Sequence, residues 1–280
     1  MRKERAELRQ KHLQGGLKAE SLIDKSVLRA SAADKEIDIL PDAVVVSIGG
    51  ASIMDRGAPA ILPLVDEIAR LRKRHDLVIG VSGGARTRHV FKIALDLGLP
   101  TGGLAHLAGA SEEQNMKMLQ ALLAKHGGIQ MTKDHFWDLP HKLASGMIPI
   151  MIGMPPYHYW EQPPRRGRLP MNGSDFGLFV FAESIGARRL VYLKDQDGQH
   201  EADPKRVPGA KLLRRVSARD LLRLPDEDLI VERMLLETML CARHVKEIVV
   251  TNGLKPGSLT KALSGRTTGT VIYAPKEARR

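Results

Sequence analysis

The chain has 280 residues, 43% of them hydrophobic and 27% charged, the balance of a globular protein with an ordinary core. Its one cysteine, Cys241, excludes an intrachain disulfide framework and a four-cysteine zinc site. Lys and Arg outnumber Asp and Glu by 43 to 32, a net charge of +11 that favours anionic partners, while 4% aromatic content with no basic–aromatic interleaving argues against a nucleic-acid stacking platform.

Residues 1–37 read as an N-terminal arm, helical or disordered and suited to an oligomer contact, with Leu8, Leu13, Leu17 and Leu22 at irregular helical spacing. The arm has no apolar segment of a secretory signal, and no later stretch is long enough for a membrane span. A cytoplasmic protein without a membrane partner is therefore expected. A single domain is expected over residues 38–280.

Within it, short β-branched runs alternate with helical periodicity. Strands are predicted over 43–48, 77–81, 147–152, 190–193, 248–251 and 270–273. Helices are predicted over 58–72, 86–97, 112–125, 175–185, 217–223 and 230–245. Continuous apolar strands separated by helices argue for an α/β fold with a mostly parallel sheet covered on both faces.

Five segments carry candidate chemistry. The first strand runs into Gly49-Gly50. Without Cβ atoms, backbone N–H groups there can approach an anion, although a plain tight turn reads the same way. The second strand repeats the device with Gly83-Gly84 and adds Arg86 and Arg88. In a parallel sheet both turns would lie at the carboxyl ends of strands, where ligands bind. Neither matches a P-loop. Residues 80–84 also fit G-x-S-x-G, which would make Ser82 a hydrolase nucleophile. That reading leaves the other segments unexplained.

The third segment places Asp195, Asp197 and Asp203 after a strand ending at Lys194, as oxygen ligands for a cation, as ribose acceptors, or as an acidic turn. The fourth ends a strand at Asn252-Gly253. The fifth, residues 153–168, is stiff with proline and holds His158, Arg165, Arg166 and Arg168, along with Tyr157, Tyr159 and Trp160. Its histidine suits a metal and its arginines an anion, while its aromatics suit a subunit interface.

Two strand–Gly–Gly units, then D-G-x-x-x-A-D-P over 197–204 and a late Asn252-Gly253, resemble the amino acid kinase family over residues 38–274. Within that family the chain is similar to the branch whose subunits store molybdenum or tungsten. Residues 153–157 (GMPPY) and Lys194-Asp195 resemble its β-type subunits, and His158 resembles a feature of the α-type.

The resemblance implies a three-layer αβα sandwich. It implies a hexamer, of this chain alone or with an α-type homologous subunit. Such a shell would enclose a cavity where molybdate or tungstate condenses into polyoxometalate clusters, dependent on ATP and Mg²⁺. On this basis Gly49, Gly50, Gly83, Gly84 and Arg86 would face the nucleotide phosphates. Asp195, Asp197 and Asp203 would lie near the nucleotide, Asn252 and Gly253 at its base end, and His158 and Lys194 would face the oxoanion cluster.

One position departs from the pattern. The family lysine two residues before the first Gly-Gly is Ser47 here. Loss of a charge that steadies phosphoryl transfer costs on the order of 3 kcal/mol or more. A small-molecule kinase of the uridylate type and a catalytically silent subunit of a mixed assembly remain as alternatives. ATP hydrolysis coupled to oxoanion loading stays open.

Overall fold

The computed structural model describes residues 36–156, 160–266 and 269–275. Residues 1–35 of the expected arm, and His158 with Tyr157 and Tyr159, lie outside the described residues.

The first half of the compact unit alternates strand and helix. β1 (Ala43–Ile48) is followed by α1 (Ala58–Leu71), β2 (Asp76–Val81), α2 (Ala85–Asp96), α3 (Thr101–Leu123), β3 (Gly128–Gln130), α4 (Leu139–Ala144) and β4 (Ile148–Ile152). The second half runs α5 (Ser174–Ile185), β5 (Arg189–Lys194), β6 (Arg215–Ser217), α6 (Ala218–Leu221), α7 (Arg233–Met239), β7 (Glu247–Asn252), α8 (Ser258–Leu263) and β8 (Thr270–Tyr273). The eight strands form one sheet in the order β3-β4-β2-β1-β5-β7-β8-β6. All pairs are parallel except β7 with β8.

Every residue of β1 is buried, because the strand sits mid-sheet and both faces are covered. Its side chains alternate between two cores. Ala43 and Val45 join α4, α5, α6 and α7 on one face. Val44, Val46 and Ile48 join α1, α3 and α8 on the other. Helices therefore cover both faces of a mostly parallel sheet, as expected. Gly80 of β2 makes one of these packings possible, since a Cβ there would lie 2.2 Å from Leu178 Cδ2 on α5. That glycine of the G-x-S-x-G match thus serves helix–sheet packing.

Several element boundaries differ from the sequence reading. The helix expected over 112–125 begins at Thr101. Gly102, Gly103, Ala105, Ala108, Gly109 and Ser111 are all buried there, so tertiary packing overrides the poor helix propensity of glycine. The helix expected over 230–245 shrinks to α7, seven residues long. Glu183 of α5 takes the backbone N–H groups of Arg243, His244 and Val245, which fixes the chain outside helical geometry there. The helix expected over 217–223 is the four-residue α6. Unpredicted elements are the edge strands β3 and β6 and the short helices α4 and α8.

The chain leaves β1 toward β2 and β4, and later returns to place β5 on the opposite side of β1. This reversal opens a crevice beyond the carboxyl ends of β1, β2 and β5, the topological switch point of such sheets.

Candidate functional site

A cleft of about 400 Å³ fills this crevice. Its walls include Gly49, Gly50, Gly83, Gly84, Arg88, Glu112, Ser174, Asp175, Lys194 and Glu232.

Two glycine turns form one side. The Gly49 N–H donates to the Leu193 carbonyl of β5 at 3.1 Å, and the Gly49 carbonyl accepts from Ile53 and Met54. A Cβ on Gly50 would lie 2.2 Å from the Gly84 nitrogen, so the two turns touch backbone to backbone. Gly84 has φ +77° and leads into α2. The Ala85 N–H, first in α2, donates to Asp55 at 2.6 Å. The anion nearest this helix start is thus the protein's own carboxylate.

Arg86 turns along α3. Its guanidinium donates to Asn115 and lies 3.9 Å from Asp55. It is absent from the cleft walls, whereas Arg88, one residue pair further along α2, lines them. Asn115 in turn donates to the Ser82 carbonyl at 2.6 Å, so the second glycine turn is clamped from α3.

The opposite wall is the start of α5. Lys194, the last residue of β5, places its ammonium 2.6 Å from Asp175 Oδ2 and 2.9 Å from Oδ1. The Tyr192 hydroxyl, on the same face of β5, donates to the Asp175 carbonyl at 2.7 Å. Glu232 accepts the backbone N–H groups of Gly173, Asp175 and Phe176, and so caps α5. Burial, with the Asp175 carboxylate beside it, pushes the Glu232 carboxyl up to about 7. Glu112, buried on α3, accepts from the Ser174 hydroxyl and from the Met154 N–H at 2.7 Å. Burial pushes its carboxyl up to about 8. Two protonatable acids therefore lie against a cleft that Arg88 and Lys194 also line.

The acidic segment after β5 lies outside the cleft walls. Asp195 accepts from Arg56 and Lys205, each at 2.9 Å. Burial opposes its charge, but these two cations hold its carboxyl below the ordinary value. Asp197 accepts from Lys255 at 2.7 Å and Asn252 at 3.0 Å, which hold its carboxyl low. The Gly253 N–H donates to the Lys194 carbonyl at 2.9 Å. Asp195, Asp197, Asn252 and Gly253 thus cluster at the ends of β5 and β7. Asp203 sits further along the loop, where its N–H donates to Asp228 and its carboxylate accepts the Lys205 N–H.

In the proline-rich loop, Arg168 donates to the carbonyls of Leu95, in the last turn of α2, and of Leu99 just beyond it. Arg165 and Arg166 line a separate recess of about 1160 Å³, which shares only Asp175 and Glu232 with the cleft. Among the described residues, no three His, Cys, Asp or Glu side chains converge as a metal site. A Mg²⁺ ion here would be carried by phosphates with one or two carboxylates, its usual habit.

Sequence reasoning missed Asp175, Glu112 and Glu232. Residues 172–175 (NGSD) before an apolar helical run carry a helix-start signal, which could have drawn attention to Asp175. No comparable signal marks the two glutamates.

Comparison with known proteins gives four findings. The profile of the family described as "Amino acid kinase family" matches residues 42–252. The "Molybdenum storage protein subunit beta" of Azotobacter vinelandii is 42% identical over 91% of this chain and 94% of its own. A "Uridylate kinase" of Methanobrevibacter smithii is 24% identical over 82% of this chain and 99% of its own. Among solved structures, the uridylate kinase of Archaeoglobus fulgidus superposes with a TM-score of 0.66 at 22% identity, covering 82% and 99% of the two chains. That last likeness speaks to fold alone.

Proposed function

Because the chain belongs to the amino acid kinase family, we propose that it is a molybdenum or tungsten storage subunit that binds Mg-ATP in the cleft. It would accumulate molybdate or tungstate as polyoxometalate clusters inside an oligomeric shell, a hexamer formed with itself or with an α-type homologous subunit. The observation that carries this reading is the 42% identity to a molybdenum storage subunit along nearly the whole of both chains. The Methanobrevibacter smithii uridylate kinase, at 24% identity, shares less.

The cleft suits the reading chemically. Paired glycine turns, Arg88 and Lys194 present backbone and side-chain donors to phosphate oxygens. The Asp195–Asp197 and Asn252-Gly253 cluster beside it would receive the rest of the nucleotide. Arg86 would act by holding Asn115 and the second glycine turn. Lys194 and His158 stay candidates for contact with the oxoanion. The net charge of +11 lowers the work of gathering polyanions. A cytoplasmic location fits, and no helix among the described residues is long and apolar enough to cross a membrane.

Equilibrium dialysis against labelled molybdate, with and without Mg-ATP, tests the reading. Uptake of many oxoanions per chain only with Mg-ATP supports it. Phosphoryl transfer from ATP to UMP with no molybdate uptake would replace it with the kinase reading.

A further inference from the structure

We propose that the cavity enclosed by α3, α5 and the end of β4 binds a small organic cation with a flat ring. The inference goes beyond the proposed function and stands independently of it.

The cavity holds about 620 Å³ and shares only Met154 with the walls of the cleft. Phe176, Val180 and Ser184, spaced at i, i+4 and i+8 on α5, form a stripe along one wall. The short 3-10 helix Lys133–Asp138 brings in Phe136, whose ring meets that of Phe181 edge to face at 6.0 Å. After β4 the chain passes tight against α5, since a Cβ on Gly177 would lie 2.0 Å from the Gly153 carbonyl oxygen and 2.9 Å from the Pro155 nitrogen. Pro155 and Pro156 then hold that edge of the cavity stiff.

The lining is apolar and adaptable. Met116, Met131, Met151 and Met154 contribute thioethers, and Phe136, Phe176 and Phe181 contribute rings. Thioethers fit varied shapes and make favourable contacts with aromatic rings, and ring faces stack on a flat occupant. Phe136, Met151 and Phe176 pack on the core yet stay only partly buried, so they leave apolar surface to an occupant. Volume and lining are those of a small-molecule pocket.

The mouth decides the charge of the occupant. Its exposed polar residues are Glu113, Thr132, Lys133, Asp134 and Ser184. Lys133 and Asp134 neutralise each other at 2.8 Å, and the Thr132 hydroxyl is engaged by the His135 ring at 2.9 Å. Glu113 takes part in none of the ion pairs among the described residues. The mouth thus keeps an uncompensated negative charge on a chain whose net charge is +11. The phenylalanine faces below it attract a cation as well. Charge and rings together select an occupant of opposite sign to the anions that suit the cleft.

The test uses the full chain in its native assembly, freed of nucleic acid, with the aromatic cation proflavine as the probe. Fluorescence anisotropy reads affinity and equilibrium dialysis reads stoichiometry. Val180→Trp fills the cavity from an exposed position on its wall, where the fold tolerates a larger side chain. Glu113→Gln keeps the size of the mouth residue and removes its charge. The expected result is about one proflavine per chain with a Kd of about 100 µM or below, unaffected by Mg-ATP. Binding should weaken about threefold in Glu113→Gln and at least about tenfold in Val180→Trp. Absence of proflavine binding by the wild type overturns the inference. So does displacement by Mg-ATP, which would put the probe in the cleft, or wild-type affinity in both variants. None of these results bears on molybdate uptake, so the proposed function stands or falls separately.

Discussion

Gly50 and Gly84 meet backbone to backbone, with the position of a Cβ on Gly50 only 2.2 Å from the Gly84 nitrogen and 2.6 Å from its Cα. The contact joins the ends of β1 and β2 into one surface. Neither partner is a flexible side chain, so nothing can yield cheaply to an added methyl group.

Gly50→Ala should therefore push the two turns apart. The expected cost is about 1–3 kcal/mol of stability, in the range for overpacking. Urea denaturation would measure it. Gly84→Ala adds strain from φ +77° and a clash with Asp55, whose Oδ2 would lie 2.4 Å from the new Cβ, and should be at least as destabilising. Gly98→Ala is a useful control, having φ +77° but nothing within 4 Å, and should show the backbone cost alone.

Glu112 predicts a pH dependence of stability. Its carboxyl is raised from 4.5 to about 8 in the folded chain, so between those values the folded state holds a proton that the unfolded state has released. The stabilisation is complete below about 4.5 and is lost as pH rises through about 8. The slope approaches roughly 1.4 kcal/mol per pH unit in that window. Glu232, raised to about 7, acts in the same direction over a narrower range. Urea midpoints from pH 5.5 to 9 should fall with pH in the wild type and fall less steeply in Glu112→Gln. An equal slope in both would remove Glu112 from the account.

Much of this site was legible in the sequence, and the reasons are physical. The glycine pairs announced themselves because only a residue without Cβ lets β1 and β2 end in touching turns. Asp195, Asp197 and Asn252 were legible as a polar cluster after two strands, and the sheet brings them together because β5 and β7 are neighbours. Asp175, Glu112 and Glu232 were not legible as partners. They come from three elements far apart in the chain, and each looks like an ordinary helix-surface acid until the fold buries it. The start of α3 was hidden for the opposite reason, since residues 101–111 carry three glycines that pattern reading takes for a loop.

Glu67 should matter to the fold and little to ligand binding. It is buried on α1 and accepts the Thr260 N–H at 2.7 Å, the Thr260 hydroxyl at 2.6 Å and the Gly257 N–H at 3.3 Å. Glu67→Ala leaves these donors without their acceptor, at an expected cost of about 2–3 kcal/mol. Thr260→Val, which removes only the hydroxyl, should cost about 1 kcal/mol. Denaturation midpoints of the two variants distinguish the cases.

Asp197 should show the reverse pattern. Its pairing with Lys255 is exposed, at 44% and 59% for the two side chains, so Asp197→Asn should change stability by less than about 1 kcal/mol. If the turn beside it receives the nucleotide, Mg-ATP affinity should drop severalfold in calorimetry. Unchanged affinity would place the nucleotide elsewhere.

The most direct test of storage is elemental analysis for Mo and W on the assembled protein, purified from molybdate-fed cells and reloaded with and without Mg-ATP. The account predicts many metal atoms per chain, retained through gel filtration and dependent on Mg-ATP. Metal at background level in an assembly of intact size would contradict it.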